Sequence, residues 1–133
     1  MTSVEHQLKS LRALPPPKFR SWAVTILGGE PRDSGADTRG FAGRICPARG
    51  GTASNDSWWP LQARRKDKVE ALEIRMFEGV LFRHDRTKGF FVAFDYSASA
   101  LKEVDRCFRL TDKVIVPLTV REILEEQIAR KLA

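Results

Sequence analysis

The chain has 133 residues and a mass of 15.1 kDa, with 42% hydrophobic and 30% charged residues, which predicts a single globular domain. It has no apolar run near the ~20 residues of a membrane span, no signal-peptide pattern at its start, and no CxxC motif around Cys46 or Cys107. We therefore expect a cytoplasmic protein without membrane association, disulfide framework or zinc site.

The net charge of +6 lies entirely in the first half of the chain. Residues 1–68 carry 12 basic and 6 acidic side chains, whereas residues 69–133 carry 11 of each. A pI near 9.7 favours an anionic partner, and nucleic acid is the commonest one for a soluble domain. The alternative interpretation is that this excess of basic residues only keeps the protein soluble.

Two short helices are predicted at the start of the chain. An amphipathic segment, Val4 to Leu14, ends at Pro15-Pro16-Pro17, which we expect to act as a stiff spacer because proline cannot continue a helix. This divides the chain into residues 1–17, a helix and spacer, and residues 18–133, one domain. Within that domain, Lys18 to Leu27 has apolar side chains at helical spacing.

A glycine-rich segment follows. Residues 28–57 contain seven of the nine glycines, and only Phe41 to Cys46 is typical of a short strand. Such a segment in a compact domain is either functional or partly disordered. Trp58 to Arg64 then predicts a strand that continues into the basic cluster Arg64-Arg65-Lys66-Asp67-Lys68.

The second half alternates helices with apolar strands. Val69 to Arg83 predicts a helix, and Gly89 to Phe94 a strand covered on both faces. The expected inner face of that helix consists of Leu72, Met76, Phe77, Val80 and Leu81.

The remaining elements have recognisable end signals. Ser97 or Ser99 caps a helix that reaches about Leu110, whose expected inward side chains are Leu101, Val104 and Phe108. Val114 to Leu118 predicts a strand, with Pro117 at its end or on a sheet edge. Thr119 and Glu122 have the spacing of a capping box at the start of the last helix.

Helices between strands predict an α/β fold with a mixed sheet whose parallel pairs come from the Phe90 to Leu118 region. Motifs of nucleotide-binding and hydrolase sites are missing: there is no G-x-x-x-x-G-K-[ST] loop, no G-x-G-x-x-G and no G-x-S-x-G. The two histidines, His6 and His84, stand in polar helical contexts, where a solvated side chain is the usual arrangement.

Several segments resemble the restriction-endonuclease-like domains of the PD-(D/E)XK type, in particular the Mrr-like domains associated with DNA methyltransferases. They extend from Lys18 to Leu124, and the similarity is best after Gln62. The segments are Lys18 to Gly29, similar to the family's opening helix; Gly35-Ala36-Asp37 with Gly40 to Gly43, similar to its G-x-D-x-G-I-D-G stretch; Gln62 to Val69, similar to its Q-V-K strand; Phe77-Glu78; Lys88 to Phe94; and Ile115 to Leu124.

This resemblance implies a fold and a chemistry. The fold is a restriction-endonuclease-like three-layer sandwich, with a central mixed sheet flanked by helices. The chemistry is Mg²⁺-dependent cleavage of DNA, in which acidic residues hold the metal and a lysine beside them assists formation of hydroxide. The catalytic candidates that it implies are Asp37, Gln62, Arg64 and Lys66, with Asp37 as the metal ligand.

The chain departs from the family pattern at each key position. Lys18 stands where the family often has Glu, Ala42 where it has the Asp of G-I-D-G, and Arg64 where it has the Lys of Q-V-K. Arginine is a poor proton-transfer partner, although it clamps phosphate well. Cleavage would be rescued if Asp37 or Asp33 moved into the metal position and Lys66 replaced the missing lysine.

Three hypotheses remain open. The first is a domain that binds double-stranded DNA through a degraded active site, as an accessory of a restriction-modification or defence system with a DNA methyltransferase as partner or fusion. The second is an active Mg²⁺-dependent endonuclease, and the third is a protein-interaction domain. A homodimer fits this family. The expected DNA-binding residues are Arg44, Arg49, Arg64, Arg65, Lys66 and Lys68.

Overall fold

The computed structural model describes residues 3–31, 40–46 and 58–132, and the side chains up to residue 126. Over these ranges the chain forms five helices and five strands. In chain order they are α1 (Ser3–Arg12), α2 (Pro16–Ile26), β1 (Glu30–Pro31), β2 (Gly43–Ile45), β3 (Trp59–Ala63), α3 (Ala71–Arg83), β4 (Lys88–Ala93), α4 (Ala98–Thr111), β5 (Val114–Thr119) and α5 (Val120–Leu132).

The strands form one mixed sheet in the order β1-β2-β3-β4-β5. The first three pair antiparallel, whereas β3 with β4 and β4 with β5 pair parallel, because α3 and α4 return the chain to the same end of the sheet. The predicted α/β class with a mixed sheet is therefore confirmed. Pro117 lies on β5 at the sheet edge, where its missing N–H costs no ladder hydrogen bond.

Helices cover both faces of this sheet. Successive residues of β4 alternate between two apolar clusters: Val92 packs with α1, α2 and α5, while Phe91 and Ala93 pack with α3 and α4. This alternation is the two-residue period of a strand that is buried on both sides. Each face of the sheet therefore has its own hydrophobic core.

The proline triplet does not act as the predicted spacer. Pro16 and Pro17 occupy the first turn of α2, where a missing N–H has no intrahelical partner to lose and the fixed φ of proline suits the helix. Val4, Leu8 and Leu11 of α1 are buried in the same cluster as α2. Helix α1 therefore shares its core with the rest of the chain.

The buried faces of α3 and α4 differ from those expected. Leu72 and Met76 are each 63% exposed, and Leu101 and Phe108 are also exposed. Phe77, Val80 and Leu81 of α3 are buried in the cluster as predicted, and the predicted Val104 of α4 packs partly buried against it. The residues that the pattern missed are Ile74 of α3 and Ala100, Glu103 and Cys107 of α4, which are buried. Each inner face is therefore rotated from the expected one, because packing against the sheet selects among overlapping helical stripes.

The helix ends follow their side-chain signals. Of the two candidate caps for α4, Ser97 accepts the backbone N–H of Ala100 at 3.0 Å. At the start of α5, Thr119 Oγ1 accepts the Glu122 N–H at 3.1 Å, and Glu122 Oε1 accepts the Thr119 N–H at 3.0 Å, so the predicted capping box is confirmed. None of the helices in the described ranges combines the length and apolar character that crossing a bilayer requires.

Candidate functional site

A cavity of about 470 Å³ opens between α3 and the end of β3. Gln62, Ala63 and Arg64 form its strand side, and Phe91 of β4 continues that wall. Because Leu61 and Ala63 are buried in the cluster on the opposite face of the sheet, the alternation of the strand directs Gln62 to the α3 side.

Helix α3 and two neighbouring segments complete the walls. The helix contributes side chains along one stripe, since Met76, Gly79 and Arg83 are spaced i, i+3, i+7. Arg20 comes from α2, and Gly40 from the segment before β2. Gly40 has φ 121°, and a Cβ there would lie 3.1 Å from Val80 Cγ2, so both the backbone and the packing require glycine.

Positive charge dominates the lining of the cavity. Four arginines line it, Arg20, Arg64, Arg75 and Arg83, against one acidic residue, Glu73. Arg64 pairs with Glu73 at 3.4 Å, and Arg75 with Glu103 at 3.4 Å. No carboxylate of residues 3–31, 40–46 or 58–126 forms an ion pair with Arg20 or Arg83. This arrangement suits an anionic ligand.

Glu73 organises the basic segment that follows β3. Its carboxylate accepts hydrogen bonds from Lys66 Nζ at 2.6 Å and from the backbone N–H of Glu70 at 3.3 Å. Partial burial alone would raise the Glu73 pKa, but these hydrogen bonds and the charges of Lys66 and Arg64 outweigh it and lower the pKa below its ordinary value. Glu73 is therefore ionised and neutralises part of the local positive charge.

Two of the predicted site residues, Arg64 and Lys66, thus meet at a carboxylate that the sequence reasoning missed. The signal was present in the chain: Glu70 and Glu73 form a reciprocal capping box at the start of α3, directly after the basic cluster. That spacing predicts an ordered carboxylate at Glu73. Only the fold brings it against Arg64 and Lys66.

Two of the other expected DNA-binding residues, Arg65 and Arg44, have contacts away from this pair. Arg65 donates to the backbone oxygen of Arg12 at the end of α1, 3.0 Å away. Arg44 lies over the ring of Trp58, 4.5 Å from its centroid, and Lys68 is exposed. Arg49, Asp33 and Asp37 lie outside the described residues.

Both tryptophans beside the basic segment pack against other rings. The Trp58 ring stacks on Phe41 at 5.7 Å between centroids, and the edge of His84 approaches both rings. Trp59 packs on Phe90 at 5.7 Å. His84 is thus part of an aromatic cluster in addition to being exposed, which its polar sequence context did not indicate.

The described donor atoms do not fit a Mg²⁺ site. Mg²⁺ prefers several oxygen ligands in near-octahedral geometry, whereas Glu73 is already bound by Lys66 and Arg64, and Gln62 Oε1 accepts the N–H of Ala63 at 3.0 Å. The side chain of Ala42, whose N–H donates to Leu61 O at 2.7 Å beside this strand, has no ligating atom. Within the described ranges no three His, Cys, Asp or Glu side chains come together as a metal site.

Two carboxyl groups, those of Glu78 on α3 and Glu103 on α4, lie at the contact between these helices. Glu103 is only 5% exposed and pairs with Arg75 at 3.4 Å and Arg106 at 3.6 Å. Burial, together with the hydrogen bond and the charge of Glu103, raises the pKa of Glu78 to about 7. In this hydrogen bond protonated Glu78 donates to ionised Glu103. The other oxygen of Glu78, Oε2, is buried without a hydrogen-bond partner. This pair links the α3–α4 contact to Arg75 at the cavity.

Comparison with known proteins assigns no family to this chain. No family model matches it, and no curated protein gives a significant match.

Proposed function

We propose that this chain is a DNA-binding domain, of the restriction-endonuclease-like kind, that holds duplex DNA without metal-dependent cleavage. We further propose that it serves as an accessory of a restriction-modification or defence system, acting beside a DNA methyltransferase. The observation that carries the binding proposal is the meeting of four arginines and a single acidic residue at one cavity. Phosphate binding needs only positive charge in suitable positions, and arginine binds phosphate through paired hydrogen bonds.

The positions that carry the resemblance lie around this cavity. Arg20 belongs to the segment similar to the family's opening helix, Gly40 to the segment similar to G-I-D-G, and Gln62 and Arg64 to the segment similar to Q-V-K. These three segments are distant in sequence, so their meeting at one cavity supports the family hypothesis. The sheet has two antiparallel strand pairs followed by two parallel pairs, and this topology is also compatible with the family.

The same residues argue for binding over cleavage. Arg64 stands at the position of the family's lysine, and arginine is a poor proton-transfer partner. The described carboxylate of the cavity, Glu73, is already neutralised by Arg64 and Lys66. We therefore expect no nicking of plasmid DNA in Mg²⁺ or Mn²⁺. Cleavage that is lost in Asp37→Ala would favour the endonuclease hypothesis instead.

A salt series on duplex binding tests the proposal. Arg20→Gln with Arg83→Gln removes two cations of the cavity that have no described carboxylate partner. Each phosphate contact contributes roughly 0.9 to the slope of log affinity against log salt, so we expect the slope to become shallower by about 2. Fluorescence anisotropy of a labelled duplex between 50 and 200 mM salt measures it.

The matched control removes the same charge elsewhere. Lys102→Gln with Arg109→Gln changes two exposed cations of α4 that do not line the cavity. We expect this variant to keep the slope of the unmodified protein. Equal slopes for both double variants would show that the net charge, and not the cavity, drives binding, and the absence of any salt-dependent binding would contradict the proposal.

A further inference from the structure

The cavity offers more than a phosphate-binding surface. Phe77 and Phe91 form the floor of the cavity, with their rings 5.6 Å apart, and both are almost fully buried. Met76, which is largely exposed, is therefore the apolar wall that a ligand can contact. A phosphodiester group needs no apolar wall. The lining therefore fits a ligand that joins an anionic group to an apolar ring, since a thioether side chain packs well on such rings.

Gln62 adds a polar group that points to a ligand. Its side chain is only 9% exposed and lines the cavity. The amide oxygen accepts the N–H of Ala63, which leaves the NH₂ group as donor, and no acceptor among the described residues bonds that group. The NH₂ group is therefore available to donate to a ligand in the cavity. A carbonyl oxygen or ring nitrogen of a bound base would accept this hydrogen bond.

The size of the cavity limits which ligands with an anionic group and a ring can bind in it. A cavity of about 470 Å³ lies within the ordinary range of small-molecule sites, roughly 300 to 1,000 Å³. This volume admits one nucleotide. Proteins that reach a single base in a duplex extrude it from the stack into a pocket with polar contacts to its edge and apolar contacts to its faces.

We propose that this cavity takes a single unpaired nucleotide of the bound DNA strand. Its phosphate lies among Arg20, Arg64 and Arg83, its base lies against Met76, and the Gln62 amide donates to the edge of the base. The inference rests on the proposed DNA binding, and it adds that the protein holds one nucleotide outside the duplex.

Calorimetric titration with thymidine monophosphate and with inorganic phosphate tests the cavity without a duplex. We expect the nucleotide to bind at least tenfold more tightly than phosphate, because only the nucleotide uses the apolar wall and Gln62. Gly79→Phe fills the cavity: Gly79 is helical, and a Cβ there meets only Arg83 Nη1, at 3.7 Å. We expect this variant to bind the nucleotide no better than phosphate.

Leu72→Phe is the matched control. It adds a ring to the same helix at an exposed position that does not line the cavity, so we expect it to retain the preference for the nucleotide. Thermal melting of both variants checks that they fold. Equal affinities of the unmodified protein for nucleotide and phosphate would overturn the inference, as would a preference that Gly79→Phe leaves intact.

A duplex with a central 2-aminopurine identifies the source of the nucleotide. This base fluoresces more strongly when it leaves the stack, so we expect a severalfold rise on binding that Gly79→Phe abolishes. A duplex that binds without this rise overturns the inference and leaves the proposed function standing. A preference for the free nucleotide without any duplex binding refutes the proposed function and shows that the cavity serves free nucleotides.

Discussion

The protonation of several residues in this protein depends on neighbours from other helices. Glu78 and Glu103 share one proton because Arg75 and Arg106 keep Glu103 ionised while burial favours protonated Glu78. Burial also raises the pKa of the adjacent Cys107 thiol, which contacts Thr111 Oγ1 at 3.6 Å. Neither effect is visible in the local sequence, where these glutamates look like ordinary helix-surface residues.

Glu78 makes the stability of the fold depend on pH. Folded Glu78 keeps its proton up to about pH 7, whereas an unfolded glutamate releases it near the ordinary pKa of 4.5. Between these values the folded state binds more protons, so the free energy of unfolding falls as the pH rises. The hydrogen bond from Glu78 and the charges of Arg75 and Arg106 lower the pKa of Glu103. Ionised Glu103 therefore stabilises the folded state, and this stabilisation is lost as the pH falls below the ordinary pKa of glutamate.

Glu78→Gln isolates this effect, because its amide donates to Glu103 at every pH. As the pH rises from 5 to 8, we expect the free energy of unfolding of this variant to increase by about 1 to 2 kcal/mol relative to that of the unmodified protein. This is less than the full pKa shift of Glu78 implies, because solvent screens a half-buried group. Urea unfolding across this range measures the difference. Asp105→Asn, on the exposed side of α4 with a side chain 64% exposed, is the control. An energy difference independent of pH would contradict the assignment.

Helices are the elements whose ends are best encoded in this chain. Two serines lie at the start of α4, Ser97 just before it and Ser99 in its first turn. Only Ser97 accepts the Ala100 N–H, while Ser99 Oγ lies 3.0 Å from Ser97 Oγ on the surface. The start of α4 is therefore set by one side-chain hydrogen bond. Its other end is closed by Asp112, with φ 62° and its N–H on Phe108 O at 2.8 Å.

Loss of that cap has a defined cost. We expect Ser97→Ala to lower the free energy of unfolding by about 1 kcal/mol, the usual value of an N-cap. Ser99→Ala, two residues along the helix, is expected to change it by less than about 0.5 kcal/mol. Chemical unfolding of both variants at one pH gives the comparison. Equal losses would mean that either serine can cap α4.

The molecule as a whole is built on two cores, one on each face of the sheet, and its first and last helices belong to the same one. Val4, Leu8 and Leu11 of α1 pack in the cluster that contains Ile123 and Leu124 of α5. Arg121 also donates to Glu5 at 2.7 Å, across 116 positions of sequence. The N-terminal helix α1 is thus joined to the rest of the fold through the last helix, α5.

Leu8→Ala tests whether α1 unfolds together with the rest. Removing a buried leucine side chain typically costs about 2 kcal/mol or more, so we expect the midpoint of the single unfolding transition to fall. Lys9→Ala, exposed on the same helix, is the control and should leave the midpoint nearly unchanged. A Leu8→Ala variant with the midpoint of the unmodified protein would make α1 an independent appendage.

The local signals in the sequence were sufficient for most elements. Alternating helices and apolar strands predicted the mixed sheet, Thr119 and Glu122 predicted the last helix start, and Pro117 predicted an edge position. These features depend on residues close in sequence, whose spacing is enough to identify them. The predicted faces of α3 and α4 were right only in part: Phe77, Val80 and Leu81 are buried, whereas Leu72 and Leu101 are exposed. Local spacing does not determine which of two overlapping stripes meets the sheet.

The charge excess of the first half and the basic segment after β3 are properties of the sequence alone. Only the tertiary structure decided that Arg64 and Lys66 converge on Glu73 while Arg65 turns to α1. Only the fold brings Arg20, from a distant helix, to the same cavity as Arg83. The physical reason is that charge is carried by each residue individually, whereas a binding site depends on distances between residues that the chain separates and the sheet brings together.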